Sequence, residues 1–283
     1  MELPSYFDGD KPILTDSLVA YLDALGTQQR AQNLDNESLA ADLEIIREFR
    51  HILDRQDLKV RSQQFAAFTD NVVLAAPVDG FSVARQLRFM ITSVAHYQLG
   101  TTLSGQPIRG GISRGFFFAN DELVTGPALI KSVLMEEHAA TNPRVLLDAG
   151  CYESIIPDGT RDNRTTGNGV QWADALLVDG DGLLFVNYLL ANDRVTVPAE
   201  VDSRLTRHRE LIDDWLTEFR SQPAILDKYI WMADYHNYVQ REFFPDHSIF
   251  VTDIPRSNHQ ARMFSRVTKF PLDHAPTELM ESG

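Results

Sequence analysis

Cysteine is almost missing: the 283 residues hold one, Cys151, so no disulfide can form within the chain. That suits a reducing compartment. Basic residues are in short supply, 26 Lys and Arg against 40 Asp and Glu, for a formal net charge of −14. A general nucleic-acid binder needs a basic footprint to displace counterions from phosphates, so that class is excluded. A single nucleotide held through metal ions is not. No run approaches the roughly 18 apolar residues of a membrane span. The opening MELPSYFDGDKP has neither the positive nor the apolar region of a secretion signal. The expectation is a cytoplasmic protein that engages neither nucleic acid nor membrane. Internal repeats and low-complexity segments are also lacking. What is present, 43% hydrophobic and 10% aromatic residues, suits a globular chain of one large domain, or a domain plus an extension.

Residues 17–23, Ser-Leu-Val-Ala-Tyr-Leu-Asp, form a short apolar run ending in an acid, with Gly26 close behind. That predicts a buried strand. Asn36 suits the N-cap of a helix over 37–54, whose Leu39, Leu43, Ile46, Phe49 and Leu53 fall on one face. Two apolar pieces, 65–68 and 72–76, flank Thr69, Asp70 and Asn71, which predicts a β-hairpin with a polar tip. A helix over 81–98 follows, then a glycine-rich strand over 107–120, a helix over 126–140 with Pro127 in its first turn, and a strand at 145–147. Residues 158–169 read as an exposed loop and 183–190 as a last strand. Beyond Pro198 the character changes to aromatic-rich helices over 201–221 and 223–243. The domain division is therefore 1–195 and a helical extension over 196–283. Alternating strands and helices predict a sheet with helices on one or two faces, α/β or α+β.

Two acids stand out by context. Asp23 ends an apolar strand and Asp70 sits at the tip of an apolar hairpin; each is costly to bury alone. If the two strands are neighbours, both carboxylates face one point at the sheet edge. Paired carboxylates suit hard divalent cations, and two such ions activate an attacking oxygen and neutralise a leaving group. The bland alternative makes Asp70 a turn residue and Asp23 a loop cap. A haloacid-dehalogenase-type phosphatase needs a second Asp two residues after the first, and Leu25 stands there. The run Arg109-Gly110-Gly111-Ile112-Ser113-Arg114-Gly115 marks either a close approach by backbone or ligand, or a bulge.

In order, these pieces resemble class III nucleotidyl cyclases. The matching segments are Tyr21-Leu22-Asp23-Ala24-Leu25-Gly26, Phe68-Thr69-Asp70-Asn71, the run from Arg109 to Gly115, and the helix-opening Gly126, together spanning roughly 15–190. The resemblance implies an α+β, ferredoxin-like cyclase catalytic domain carrying a C-terminal helical extension. It implies a head-to-tail homodimer with active sites at the interface. It also implies two Mn2+ or Mg2+ ions per site, held by Asp23, Asp70 and the carbonyl of Ala24, and a nucleoside triphosphate substrate.

The departures narrow the choice. Where purine-specific cyclases carry the Lys and Asp that read the base, this chain has Ala66 and Leu123. Where the helix carries an Asn and the transition-state Arg, it has Ile130 and Leu134; the phosphate-binding Lys is missing near Val178-Asp179-Gly180. Either the module is degenerate and inactive, or it belongs to a divergent branch. Gly126-Pro127-Ala128-Leu129, Leu134, Glu136, Asn142-Pro143-Arg144-Val145, Lys228-Tyr229, Trp231 and Tyr235-His236-Asn237 resemble the pyrimidine nucleotide cyclases of the Pycsar antiphage defence system. That likeness implies a phosphorus–oxygen lyase, a uridylate cyclase converting UTP to 3′,5′-cyclic UMP and pyrophosphate. Its product activates a separate effector that kills the infected cell. A cytidylate cyclase making cyclic CMP and an inactive binding module are the alternatives.

Some other cation must then face the phosphates. Arg109, as the catalytic residue, ranks first; Arg114 is assigned to substrate binding, and Lys131 and Arg144 are further candidates. Tyr21, two residues before Asp23, shares its face and is read as packing on the base or as a plain core aromatic. His236 is expected to join the extension to the sheet, with a catalytic base as the alternative. Cys151 is read as a small buried hydrophobe, and Trp215 and Trp231 as anchors of the extension.

Overall fold

The computed structural model describes residues 6–26, 35–55, 64–68, 71–78, 83–153, 172–190, 198–256 and 261–267. A short ribbon, β1 (Phe7–Asp8) and β2 (Lys11–Pro12), precedes β3 (Thr15–Ala24), which holds the apolar run at 17–23. Helix α1 (Asn36–Arg55), β4 (Gln64–Phe68), β5 (Asn71–Pro77), α2 (Val83–Leu103) and β6 (Ile108–Ala119) follow. These six elements read β-α-β-β-α-β, and their strands lie in the order β6-β3-β5-β4, every pair antiparallel. That is the ferredoxin-like, split βαβ arrangement. Alternation sends Leu18, Ala20 and Leu22 of β3 into one core with Leu87, Met90, Ile91 and Val94 of α2.

The opposite face is covered by α3 (Pro127–His138), which follows the short β7 (Val124–Thr125). It closes a smaller core of Val19, Val73, Ala75, Phe117 and Ala128. The glycine-rich strand explains the closeness. A Cβ added at Gly111 would lie 2.7 Å from the Ser132 carbonyl and 2.8 Å from Met135 Cβ. Backbone, in the form of α3, makes the close approach there. Ser113 and Ser132 stitch the layers: Ser113 Oγ donates to the Ala128 carbonyl and Ser132 Oγ to the Val19 carbonyl.

Strand β8 (Val145–Leu147) pairs parallel with β6, and a short helix, α4 (Ala149–Glu153), follows it. The sheet continues through β10 (Leu184–Val186), β9 (Leu176–Val178) and β11 (Ser265–Arg266). The strand expected over 183–190 ends early, and Tyr188–Leu190 turn into a buried 3-10 coil. The last strand is instead β11, from the tail. Helices α5 (Pro198–Glu218) and α6 (Pro223–Phe243) pack into the same core as the sheet, through Trp215, Leu216, Trp231 and Tyr235. Leu39 and Leu43 of α1 are exposed, so that part of its expected apolar face is uncovered. The loop expected at 158–169 lies outside the described residues. No helix among the described residues is long and apolar enough to cross a membrane.

Candidate active site

Asp23 stands near the end of β3, opposite Arg109 of β6 on one side and Asn71 of β5 on the other. Directly opposed residues on antiparallel strands share a face, with Cα atoms about 4.5–5.5 Å apart. Arg109, Asp23 and Asn71 thus form a row across three strands. The row lies on the α3 side of the sheet, because Val19 and Val73, an even number of steps along the same strands, belong to that core.

Arg109 holds the row to α3. Its Nη2 lies 3.5 Å from Asp23 Oδ2, and its Nε lies 2.5 Å from Glu136 Oε1. The second contact is an ion pair rather than an aligned hydrogen bond. The Glu136 side chain is only 5% exposed. Burial pushes its carboxyl above the ordinary value, the Asp23 charge adds to that, and Arg109 opposes it. A second cation comes from the C-terminal helix. Burial and the Arg109 charge push the half-buried Lys228 ammonium down, while Asp23 and Glu136 hold it up. Two carboxylates and two cations therefore share one electrostatic neighbourhood at the end of β3.

Tyr21 lies on the same face as Asp23, packed against the α3-side core. Ala24 packs on the opposite face, against the core under α2, and pairs in register with Ile108. Asp70, the second acid expected at this point, lies outside the described residues; the residue after it, Asn71, is the one opposite Asp23.

The other expected cations are not in this cluster. Arg114, expected at the substrate, makes a two-pronged contact with Asp16, Nε to Oδ1 at 3.2 Å and Nη2 to Oδ2 at 2.7 Å. It sits five positions along β6 from Arg109, an odd step, so its side chain leaves the other face of the strand. Lys131 Nζ pairs with Asp148 Oδ1 at 2.7 Å. Arg144 is fully buried and bound to both Asp179 and Asp181. Trp231 Nε1 donates to Asp179 at 2.7 Å, so Arg144 and Trp231 tie α6 to the β9–β10 turn. His236 is fully buried, as is Cys151.

Glu136 and Lys228 are the site residues that reasoning from sequence did not assign. A signal for Glu136 was present: Ala128, Ser132 and Glu136 fall at helical spacing on the buried side of α3. An acid continuing a stripe of small residues needs a buried partner. Lys228 belongs to a segment that carries the family resemblance, but nothing in its local sequence ties it to Asp23; a long-range fold brings it in.

Divalent cations prefer oxygen donors. The partly exposed Asp23 carboxylate offers such donors at the open end of a strand, and the residues present fit a hard ion. Among the described residues no cluster of three or more His, Cys, Asp or Glu side chains forms a ready cage.

No family model matches the chain. No curated protein matches it either. Among solved structures it is similar to an adenylyl cyclase from P. aeruginosa at 14% identity and TM-score 0.40, covering 61% of this chain and 94% of that one. It is similar to the catalytic core of a rhodopsin-guanylyl cyclase with converted specificity, in complex with ATPalphaS, at 13% identity and TM-score 0.41, covering 61% and 96%. It is similar to a bacterial light-regulated adenylyl cyclase at 11% identity and TM-score 0.42, covering 62% and 92%. Likeness at this level establishes no activity.

Proposed function

We propose that the chain is a metal-dependent nucleotide cyclase that converts UTP to 3′,5′-cyclic UMP and pyrophosphate. The observation that carries this reading is the row of Arg109, Asp23 and Asn71. It sets a carboxylate beside a cation at the end of β3, opposite the residue that follows Asp70.

Asp23 and Asp70, with the carbonyl of Ala24, would hold two divalent ions, Mn2+ or Mg2+. Bound there, such ions would lower the pKa of the ribose 3′-hydroxyl and offset triphosphate charge. Arg109 stands ready for the charge that builds on the α-phosphate as the 3′-oxygen attacks in line and pyrophosphate leaves. Glu136 fixes Arg109 through Nε, which leaves its Nη2 toward Asp23. Tyr21 packs against the base. The apolar Ala66 and Leu123, in place of the hydrogen-bonding pair of purine cyclases, favour a pyrimidine.

A homodimer with sites at its interface completes the reading. Ile130 and Leu134, four residues apart on one side of α3, are 60% and 38% exposed. Phe116 of β6 and Leu123, which precedes β7, are 58% and 53% exposed. Exposed apolar groups of this kind suit a protein partner, here a second copy. The proposed role is a second messenger in bacterial antiphage defence, with cyclic UMP acting on a separate effector.

The test is a competition: all four ribonucleoside triphosphates in one pot with Mn2+, with products identified by mass spectrometry. Cyclic UMP as the main product is expected. Cyclic CMP would replace the base assignment, a cyclic purine would discard the argument from Ala66 and Leu123, and no product would favour a binding module.

A further inference from the structure

Asn71 stands opposite Asp23, on β5. Its side-chain Oδ1 is buried and meets no hydrogen-bond donor among the described residues. Buried polar atoms are nearly always satisfied, so an orphan in a candidate site asks for a missing partner. The position says which kind. Asn71 opposes Asp23 in register, and Arg109 opposes Asp23 from the other strand. The Asp23 carboxylate is therefore flanked by a guanidinium on one side and, on the other, by an amide oxygen with no donor among the described residues. A cation approaching Asp23 is repelled on the Arg109 side and meets a second oxygen donor on the Asn71 side. Carboxylate and carboxamide oxygens together are a donor set that hard divalent ions take.

We propose that Asn71 Oδ1 is a ligand of the divalent cation held by Asp23. The proposal deepens the reading of Asp23 as a metal acid and rests on it. Asn71 supplies a neutral oxygen, so it adds a donor without adding to the local negative charge. It also fixes the cation on the β5 side of the row, which leaves Arg109 facing the substrate.

The experiment titrates MnCl2, without nucleotide, into the purified full chain and follows free Mn2+ by electron paramagnetic resonance. Wild type should bind saturably. Asn71→Ala should weaken binding about tenfold or more, the scale seen when a residue supporting a metal is removed. Asn71→Asp should bind at least as tightly as wild type, because it keeps an oxygen at that place and adds charge. Asp23→Asn should lose binding. If Asn71→Ala matches wild type while Asp23→Asn fails to bind, Asn71 is no ligand and the reading of Asp23 stands. If Asp23→Asn binds like wild type, or wild type does not bind, the metal-acid reading falls and takes this proposal with it. Melting curves check that each variant folds. Should Asn71→Ala unfold, Asn71→Asp decides alone, and weaker binding than wild type overturns the proposal.

Discussion

Arg109 answers to two masters. Glu136 is buried and needs its charge; Asp23 is partly exposed and shares it. A buried carboxylate that loses its partner costs about 3–5 kcal/mol unless it takes up a proton. Arg109→Ala should therefore leave Glu136 protonated, with its carboxyl raised further, and should slow turnover by about 100-fold or more, the usual effect of removing one group that stabilises developing charge. Arg109→Lys should recover only part of the rate, since an ammonium cannot serve Glu136 and Asp23 with a planar fork. Initial rates with saturating triphosphate check this, and an unchanged rate in Arg109→Ala would remove Arg109 from the mechanism. Reasoning from sequence assigns both Arg109 and Arg114 to the active site, and the strand register separates them. Arg109 and Asp23 oppose each other on one face, whereas Arg114, an odd step away, does not share it. Residue counting separates the two arginines, and motif matching does not.

At the scale of elements, two contacts bear weight. The first is α3 on β6. Gly111 leaves room for the Ser132 backbone, and an added methyl would meet it at 2.7 Å. Gly111→Ala should cost about 1–3 kcal/mol, the range for overpacking. Because the same helix carries Glu136, it should also lower activity in the fraction that stays folded. Thermal melting and rate measurement read the two effects separately.

The second contact joins α5, α6 and the coil at Tyr188. His236 Nε2 donates to the Ile249 carbonyl at 2.6 Å, which leaves its Nδ1 bare to accept from His208 Nδ1 at 2.9 Å. His208 Nε2 is then bare and accepts from the Tyr188 hydroxyl at 2.8 Å. With both rings neutral every bond of the chain is made and no charge is buried. Burial pushes His236 down to about 4 and His208 well below its ordinary value, with the neighbouring His236 adding to the latter. The unfolded chain takes up these protons near 6.5. Stability from the pair is therefore full above about pH 6.5 and is lost as pH falls toward about 4. Melting temperature should drop across that window. His208→Gln with His236→Gln should flatten the drop, and a double variant as pH-sensitive as wild type would contradict the account.

For the whole molecule, the ferredoxin-like core was the most legible part. Its strands and helices are long enough for periodicity to speak: the run at 17–23 became Thr15–Ala24, and the helix expected over 81–98 became Val83–Leu103. What went unread is short or non-local. Strands of two or three residues, such as β9 and β11, have no period to detect. Lys228 comes within electrostatic range of Asp23 and Glu136 because Trp231, Tyr235 and Phe185 pack α6 onto the sheet. The exposed apolar side of α3 also belongs to this scale. Ile130→Asp with Leu134→Asp should convert a dimer, seen by light scattering at twice the chain mass, into a monomer, and should reduce activity with it. A wild-type monomer that is fully active would contradict an interface-built site.

The central claim is that Asp23 supports nucleotide cyclisation. The direct measurement incubates UTP labelled at the α-phosphate with Mn2+ and either wild type or Asp23→Ala, then separates the labelled products. Cyclic UMP from wild type and none from a folded Asp23→Ala is the expected result. Cyclic UMP from both proteins in equal amount, or from neither, would contradict the account.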